Sequence, residues 1–155
     1  MIGEKVILRK MMTVENDGHY LGDLIAGSRL VVYFGDITGE LMARATGDGS
    51  LLRAYRDINF LAPVYVGDVM EYHGWIEKKF NTSYEVHFEA WKIMTNTDDY
   101  KIAHGFNHAA DHPDLKGYEG KMLCNPPVLC GTAIGTLVVL PENYRGPLDP
   151  KFEIK

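Results

Sequence analysis

Only two cysteines, Cys124 and Cys130, occur in 155 residues. They are too few for a disulfide scaffold and lack C-x-x-C spacing. Basic excess is missing too: 16 Lys and Arg stand against 21 Asp and Glu, a net charge of -5. Gripping a phosphate backbone takes clustered Lys and Arg, so nucleic acid is excluded as a partner. No apolar run approaches the roughly 20 residues that span a bilayer. The longest, Val128 to Leu140, is broken by Gly131, Thr132, Gly135 and Thr136. Charges within Met1 to Met12 interrupt any signal-peptide core. There is no G-x-S-x-G elbow for a serine hydrolase, no Ala-Ser-Gly triplet to cyclise into an electrophile, and no pyridoxal-phosphate signature. These absences leave a reduced, cytoplasmic protein without a membrane partner.

What is present suits one domain over residues 1–155, with 46% hydrophobic and 24% charged residues. Lys5 to Met12 predicts a first strand, followed by a polar, turn-rich stretch to Tyr20. A helix is expected from Gly27-Ser28 to about Ala45, because Leu30, Val31, Phe34, Ile37, Leu41 and Met42 recur at helical spacing. Gly47-Asp48-Gly49 ends it. Four strands should follow: Leu51 to Phe60, Val69 to Lys79, Ser83 to Met94 and Val128 to Leu140. Two of them alternate plainly, Met70, Tyr72 and Ile76 against Glu71, His73 and Glu77, then Tyr84, Val86 and Phe88 against Glu85, His87 and Glu89. Ala62 to Gly67 reads as a turn-like bridge and Phe80-Asn81-Thr82 as a hairpin. Residues of about 95–123 predict a long, partly helical excursion, and about 141–155 an irregular tail. The order β-α-β-β-β-β is an α+β pattern, one central helix wrapped by a five-stranded antiparallel sheet.

On that helix Arg29, Tyr33, Asp36, Glu40 and Arg44 fall on one polar stripe. It is either a plain wet face or a functional one. Gly35 and Gly39 precede the two carboxylates, although mid-helix glycine costs about 1 kcal/mol relative to alanine. Glycine there lets a strand, a partner helix or a ligand come close. Like charges at i,i+4 repel mildly unless a cation lies between them, as a substrate ammonium would. The helix start holds small residues, Ala26-Gly27-Ser28. Its free N–H groups suit a developing enolate oxygen, while Ser28 or Asp23 could equally be a simple cap.

His19-Tyr20, Gly22-x-Leu-x-x-Gly27, Phe34-Gly-Asp36-x-x-x-Glu40-Leu41, Ala62-Pro-Val-Tyr-Val-Gly-Asp68, Asn81-x-Ser83 and Phe88-Glu-Ala-Trp-Lys92 together resemble the 3-aminobutyryl-CoA and β-alanyl-CoA ammonia lyases. Met70 to Lys78 and Pro126 to Gly131 are similar to the β-alanyl-CoA enzyme in particular. The likeness covers about 1–94 and 124–147. Departures are Asp at 23 where Asn is expected, Thr38-Gly39 in exchanged order, and a longer segment between Lys92 and Cys124.

The resemblance implies a hotdog fold assembled through dimers, with higher assemblies such as a hexamer open. It implies reversible loss of ammonia from a short 3-aminoacyl-CoA. By position, the thioester would lie near His19, Tyr20, Gly27 and Ser28, with His19 a catalytic candidate and Tyr33 a substrate contact. Glu40 and Asp36 become base and ammonium anchor, in either order, and Asn81, Thr82 and Ser83 contacts for the CoA arm. Because the thioester acidifies the C2 proton itself, no cofactor is expected. A hotdog acyl-CoA thioesterase, an enoyl-CoA hydratase and a non-catalytic acyl-CoA sensor are the competing readings. His104, His108 and His112 share a helical spacing that zinc can use. Gly105 and Pro113 weaken such a helix, and a solvated or interface histidine row is preferred, so no metal is assigned.

Overall fold

The apolar helical spacing is realised as α2 (Gly27–Thr46), 20 residues long. Leu30, Phe34, Ile37, Leu41 and Met42 on its inner face are buried. The computed structural model describes residues 2–17, 23–96 and 121–154. Around α2 lie β1 (Val6–Met11), β2 (Leu51–Phe60), β3 (Val69–Lys79), β4 (Ser83–Asn96) and β5 (Lys121–Val138). They form a single sheet in the order β1-β3-β4-β5-β2, every pairing antiparallel. A long helix laid across the inner face of such a sheet is the hotdog arrangement.

The alternating strands put one set of side chains under the helix. Phe34 stacks on Phe88 of β4 with ring centroids 5.1 Å apart and meets Tyr72 of β3 edge-on at 6.0 Å. Glycines in the sheet let the helix settle this close. A Cβ at Gly131 would come 2.9 Å from Leu30.

The other sheet face carries polar and aromatic side chains in i,i+2 pairs. His73 and Glu71 are 3.1 Å apart, His87 and Glu85 3.0 Å, and the indoles of Trp75 and Trp91 donate to Glu77 and Glu89. The His73 hydrogen bond and then the Arg9 guanidinium hold the Glu71 carboxyl down at about 2, from an ordinary 4.5.

Three expectations need correction. A short helix, α1 (Val14–Asp17), stands within the stretch read as turns, and Asp17 is buried. β5 starts seven residues before Val128, running through Pro126 and Pro127. Those prolines sit at a break in register between the pairs Lys92↔Val128 and Met94↔Leu123, where no ladder N–H is demanded of them. With β4 reaching Asn96, the excursion narrows to 97–120, outside the described residues. The tail is also more ordered than its prolines suggest. Two 3-10 turns, Pro141–Asn143 and Pro150–Phe152, fold it back on the end of α2. There Arg44 pairs with Asp149 at 3.1 Å and lies over the Phe152 ring at 5.4 Å.

Gly47 closes α2 in the left-handed region, φ 78, donating its N–H to Ala43. A Cβ there would approach the Gly146 carbonyl oxygen at 2.7 Å. Gly47→Ala should therefore destabilise the fold by more than the roughly 1–2 kcal/mol of left-handed backbone alone, read by urea denaturation. For Glu71, whose folded pKa is depressed, the stabilisation is complete above pH 4.5 and is lost as pH falls toward 2. Glu71→Gln should melt below the parent at neutral pH, and the two melting curves should converge across that acid window.

Candidate active site

The segment before α2 is held by the segment after β2. Ile25 donates its N–H to Val64 (2.8 Å), Val66 donates to Asp23 (2.9 Å), and Leu24 bridges Tyr65. This delivers the chain to α2 with Ala26 as N-cap in extended conformation and no side-chain cap. The N-cap position is thus Ala26 rather than Ser28 or Asp23. An alanine there offers the positive end of the helix no side-chain acceptor of its own. Beside it lies a cavity of about 320 Å³ lined by Leu24, Ile25, Gly27, Leu30, Phe60, Leu61 to Val64 and Cys130. Gly27 has to be glycine for Phe60 to pack there, since a Cβ would lie 2.9 Å from that ring. Apolar walls around a helix start suit an acyl thioester, whose oxygen takes hydrogen bonds while its chain avoids water.

The stripe of polar residues divides on folding. Asp36 and Glu40 are exposed in the protomer. Glu40 pairs with Arg44 at 3.3 Å, whereas Asp36 pairs with no cation among the described residues. Burial, and secondly the Asp36 charge, push the phenol of Tyr55 up to about 12. Its hydroxyl donates to the Val31 carbonyl at 3.2 Å, on the β2 side of the helix. Gly35 faces Tyr55 and Leu52, while a Cβ at Gly39 would meet nothing within 4 Å. A Cβ at Gly35 would thus meet β2 only at ordinary contact distances, 3.4 Å to the Tyr55 hydroxyl and 3.9 Å to Leu52, and Gly39 borders open space. Among the described residues of the protomer, neither glycine marks the anticipated close approach.

Tyr33 leaves the wet stripe altogether. It is buried, packs on Tyr72 at 5.0 Å, and donates its hydroxyl to Asp17. Burial and the Asp17 carboxylate push its phenol up to about 12, so it remains a hydrogen-bond donor at neutral pH. Arg29 flanks the pair, 3.9 Å from Asp17, and donates to the Asn16 carbonyl at 2.7 Å.

Position along the helix separates the remaining candidates. At 1.5 Å per residue, Asp36 and Glu40 lie about 14 and 20 Å beyond Gly27. A short aminoacyl group spans roughly 5 Å from thioester oxygen to amine nitrogen. One such group cannot use the helix start and these carboxylates of the same protomer together, even with side chains leaning toward the helix start. Asn81, Thr82 and Ser83 form the β3–β4 turn, closed by Phe80 N–H to Ser83 O at 2.8 Å and Val139 N–H to Thr82 O at 3.0 Å. Ser83 pairs with Val138, itself opposite Leu51, whereas Gly131 and Phe60 flank the helix start. The turn and the helix start therefore occupy opposite ends of the sheet. A shallow cavity of about 310 Å³ beside the turn includes Lys79, Asn81, Tyr84 and Tyr144.

His19 and Tyr20 lie outside the described residues, as do His104, His108 and His112. Among the described residues, no three His, Cys, Asp or Glu side chains cluster to hold a metal. No described helix is long and apolar enough to cross a membrane. Sequence reasoning missed the 61–64 wall and Cys130 as cavity residues. Cys130 was legible only as a strand residue, and the wall only as a turn around Pro63.

Residues 22–96 match the thioesterase superfamily. A 3-aminobutyryl-CoA ammonia lyase from Acetoanaerobium sticklandii is 39% identical over 91% of this chain and 98% of its own length. The solved β-alanyl-CoA:ammonia lyase from Clostridium propionicum is 45% identical, covers 99% of this chain and 96% of that one, and superposes with a TM-score of 0.80. A hexameric thioesterase from Yersinia pestis shares only the fold, at 17% identity and TM-score 0.62 over 96% of this chain and 97% of that one. Similarity running end to end, on a sheet and helix built as described, means that this chain belongs to the family of 3-aminobutyryl-CoA and β-alanyl-CoA ammonia lyases.

Proposed function

We propose that the protein reversibly eliminates ammonia from a short 3-aminoacyl-CoA to give the enoyl-CoA, acting as a homodimer that shares its active sites. The observation that carries the activity is the end-to-end identity with two lyases of this kind, at 39% and 45%; thioesterase likeness extends to the fold alone. The start of α2, with Ala26 at its N-cap, receives the thioester oxygen, and the apolar cavity receives the acyl end. A carboxylate removes the C2 proton as the amine departs from C3, and the helix-start N–H groups hold the enolate. Glu40 is assigned as base and Asp36 as anchor of the substrate ammonium. The thioester supplies the acidity of C2, so no cofactor is assigned.

The separation of helix start and carboxylates along one helix favours their meeting across a two-fold axis. β2 is one of the two edges of the sheet and the one beside the helix start, with Leu51, Leu52, Ile58 and Phe60 exposed along it, Leu61 just beyond, and Val32 exposed on the helix. Such an edge invites a second copy. Pairing centred on Tyr55, which touches α2 at Val31 and Gly35, sets Gly27 opposite Gly39 and Glu40 of the partner subunit. The open space at Gly39 suits that approach. The same two-fold brings Asn81 to Ser83 of the partner subunit to the end of the joint sheet nearest the cavity. That turn lies three strand spacings away, about 14 Å, and Lys79 beside it suits the phosphates of the CoA arm. Assembly of dimers into a hexamer is an extension of the same reading. His19 as a catalytic residue and Tyr20 as a substrate contact belong to the same proposal.

Crotonyl-CoA or acryloyl-CoA incubated with ammonium should lose enoyl absorbance in an ammonium-dependent manner. Loss of absorbance without ammonium would indicate a hydratase, free thiol a thioesterase, and binding without turnover a sensor. Glu40→Gln and Asp36→Asn should each lower turnover at least about 100-fold without lowering thermal stability. Full activity in both would remove these roles. Co-expressing Gly27→Leu subunits with Glu40→Gln subunits should restore about a quarter of parental activity, through mixed dimers with one intact site. No recovery would place both groups in one subunit.

A further inference from the structure

The wall of the acyl cavity between β2 and β3 belongs to no strand, so each of its backbone groups needs a partner from elsewhere. Leu61 and Ala62 donate to the Cys130 carbonyl, at 2.8 and 3.4 Å. Pro63 has no N–H to donate, and its carbonyl accepts from Lys92 Nζ at 2.8 Å. The Val64 carbonyl takes Ile25, and the Val66 carbonyl takes the Asn96 side chain at 3.2 Å. The Tyr65 N–H donates to Asp68 Oδ2 at 2.8 Å, and the Asp68 N–H donates back to the Tyr65 carbonyl at 3.0 Å.

Two of these anchors, Lys92 and Asp68, are bound to each other. Lys92 Nζ lies 3.0 Å from Asp68 Oδ2 and 5.6 Å from the Tyr65 ring centroid. Asp68 is fully buried, and its second oxygen accepts from Thr95 Oγ1 at 2.5 Å. An ion pair with one partner buried is a poor source of stability compared with apolar packing, but it can fix the register of whatever it grips. This pair grips the two sides of a proline turn that forms the cavity wall.

We propose that Asp68 and Lys92 are positioning residues of the acyl cavity, clamping the Pro63 carbonyl and the Tyr65 amide so that residues 61–64 stay closed over Cys130 beside the helix start. The acyl role of the cavity rests on the ammonia-lyase reading; the clamping of the wall does not. Neither residue touches the acyl group, so their removal should weaken substrate capture more than chemistry.

Cys130 provides a readout independent of activity. It lines the cavity, is fully buried, and donates its thiol to the Val128 carbonyl at 3.5 Å. Burial pushes that thiol up to about 11; the Lys92 charge opposes the shift, and the Asp68 charge, a smaller influence, adds to it. Removing both charges without moving the wall would therefore leave the thiolate no more abundant and alkylation no faster. A tenfold acceleration at Cys130 thus requires an opened wall.

The test compares the parent, Lys92→Arg and the double variant Asp68→Asn/Lys92→Met, which removes both charges together and keeps an oxygen at position 68 for Tyr65. Each is treated with iodoacetamide, with labelling at Cys130 and Cys124 read separately by mass spectrometry alongside the melting temperature. The double variant should label Cys130 at least tenfold faster than the parent, with no acceleration at Cys124, whose buried thiol feels the same two charges, and Lys92→Arg should behave as the parent. With aminoacyl-CoA, KM should rise at least tenfold while kcat stays within threefold. Unchanged or slower Cys130 labelling in a folded double variant overturns the proposal. Equal acceleration at both cysteines with a collapsed melting transition also overturns it, because the pair would then be a general stabiliser. Failure of the parent to turn over an aminoacyl-CoA refutes the lyase reading and leaves the labelling result to decide the clamp.

Discussion

The burial of one face of α2 against the inner side of the sheet organises everything else in the protein. Phe34, Leu41 and Met42 meet Tyr72, Val86 and Phe88 there, and all six are essentially excluded from water. Each such side chain contributes on the order of 1.5–3 kcal/mol when taken from water, so this contact dominates the driving force for folding. It also dictates what remains free. With its apolar face committed, the helix presents its start at one end of the sheet and its carboxylates along its outer side. Among the described residues, nothing covers Asp36 or Glu40.

A chemical consequence follows from helix length. Thioester polarisation by backbone N–H groups belongs at the first turn, where the amides lack intrahelical partners. Asp36 and Glu40 stand about two and a half and three and a half turns later, out of reach of a short acyl group bound at that first turn. The proposed sharing across a two-fold would reconcile one rigid helix with a substrate much shorter than it. The free β2 edge, rich in exposed apolar side chains, is where such a contact costs least.

Polar groups divide the molecule into regions with different tasks. On the outer sheet face, glutamates two residues from each histidine and tryptophan hold the rings in register along β3 and β4. At the edge of the core, Asp17, Tyr33 and Arg29 dock α1 on α2. At the cavity, Asp68 and Lys92 supply hydrogen bonds that a proline-containing connection cannot obtain from a strand.

Periodicity made most of the architecture legible. Apolar spacing of helical period from Leu30 to Met42, and period-two alternation through β3 and β4, depend only on neighbours along the chain, and both elements stand where they were read. The family resemblance likewise rested on local runs such as Phe34 to Leu41 and Ala62 to Asp68. Local pattern failed where a contact distant in sequence decided the outcome. Tyr33 shares a stripe with Asp36 by angle, yet Tyr72 and Asp17 bury it. The last strand reads as starting at Val128, yet a register break lets β5 run through Pro126 and Pro127. The tail reads as irregular until Arg44 finds Asp149 and Phe152. Cys130 and the 61–64 wall become a cavity only once β5 passes beside the start of α2. The sequence by itself determined the elements, their amphipathic faces and the residue types available for acyl-CoA chemistry. Which of those residues meet was left to the tertiary structure, because hydrogen-bond partners and burial depend on strand register and helix docking, which no run of neighbouring residues encodes.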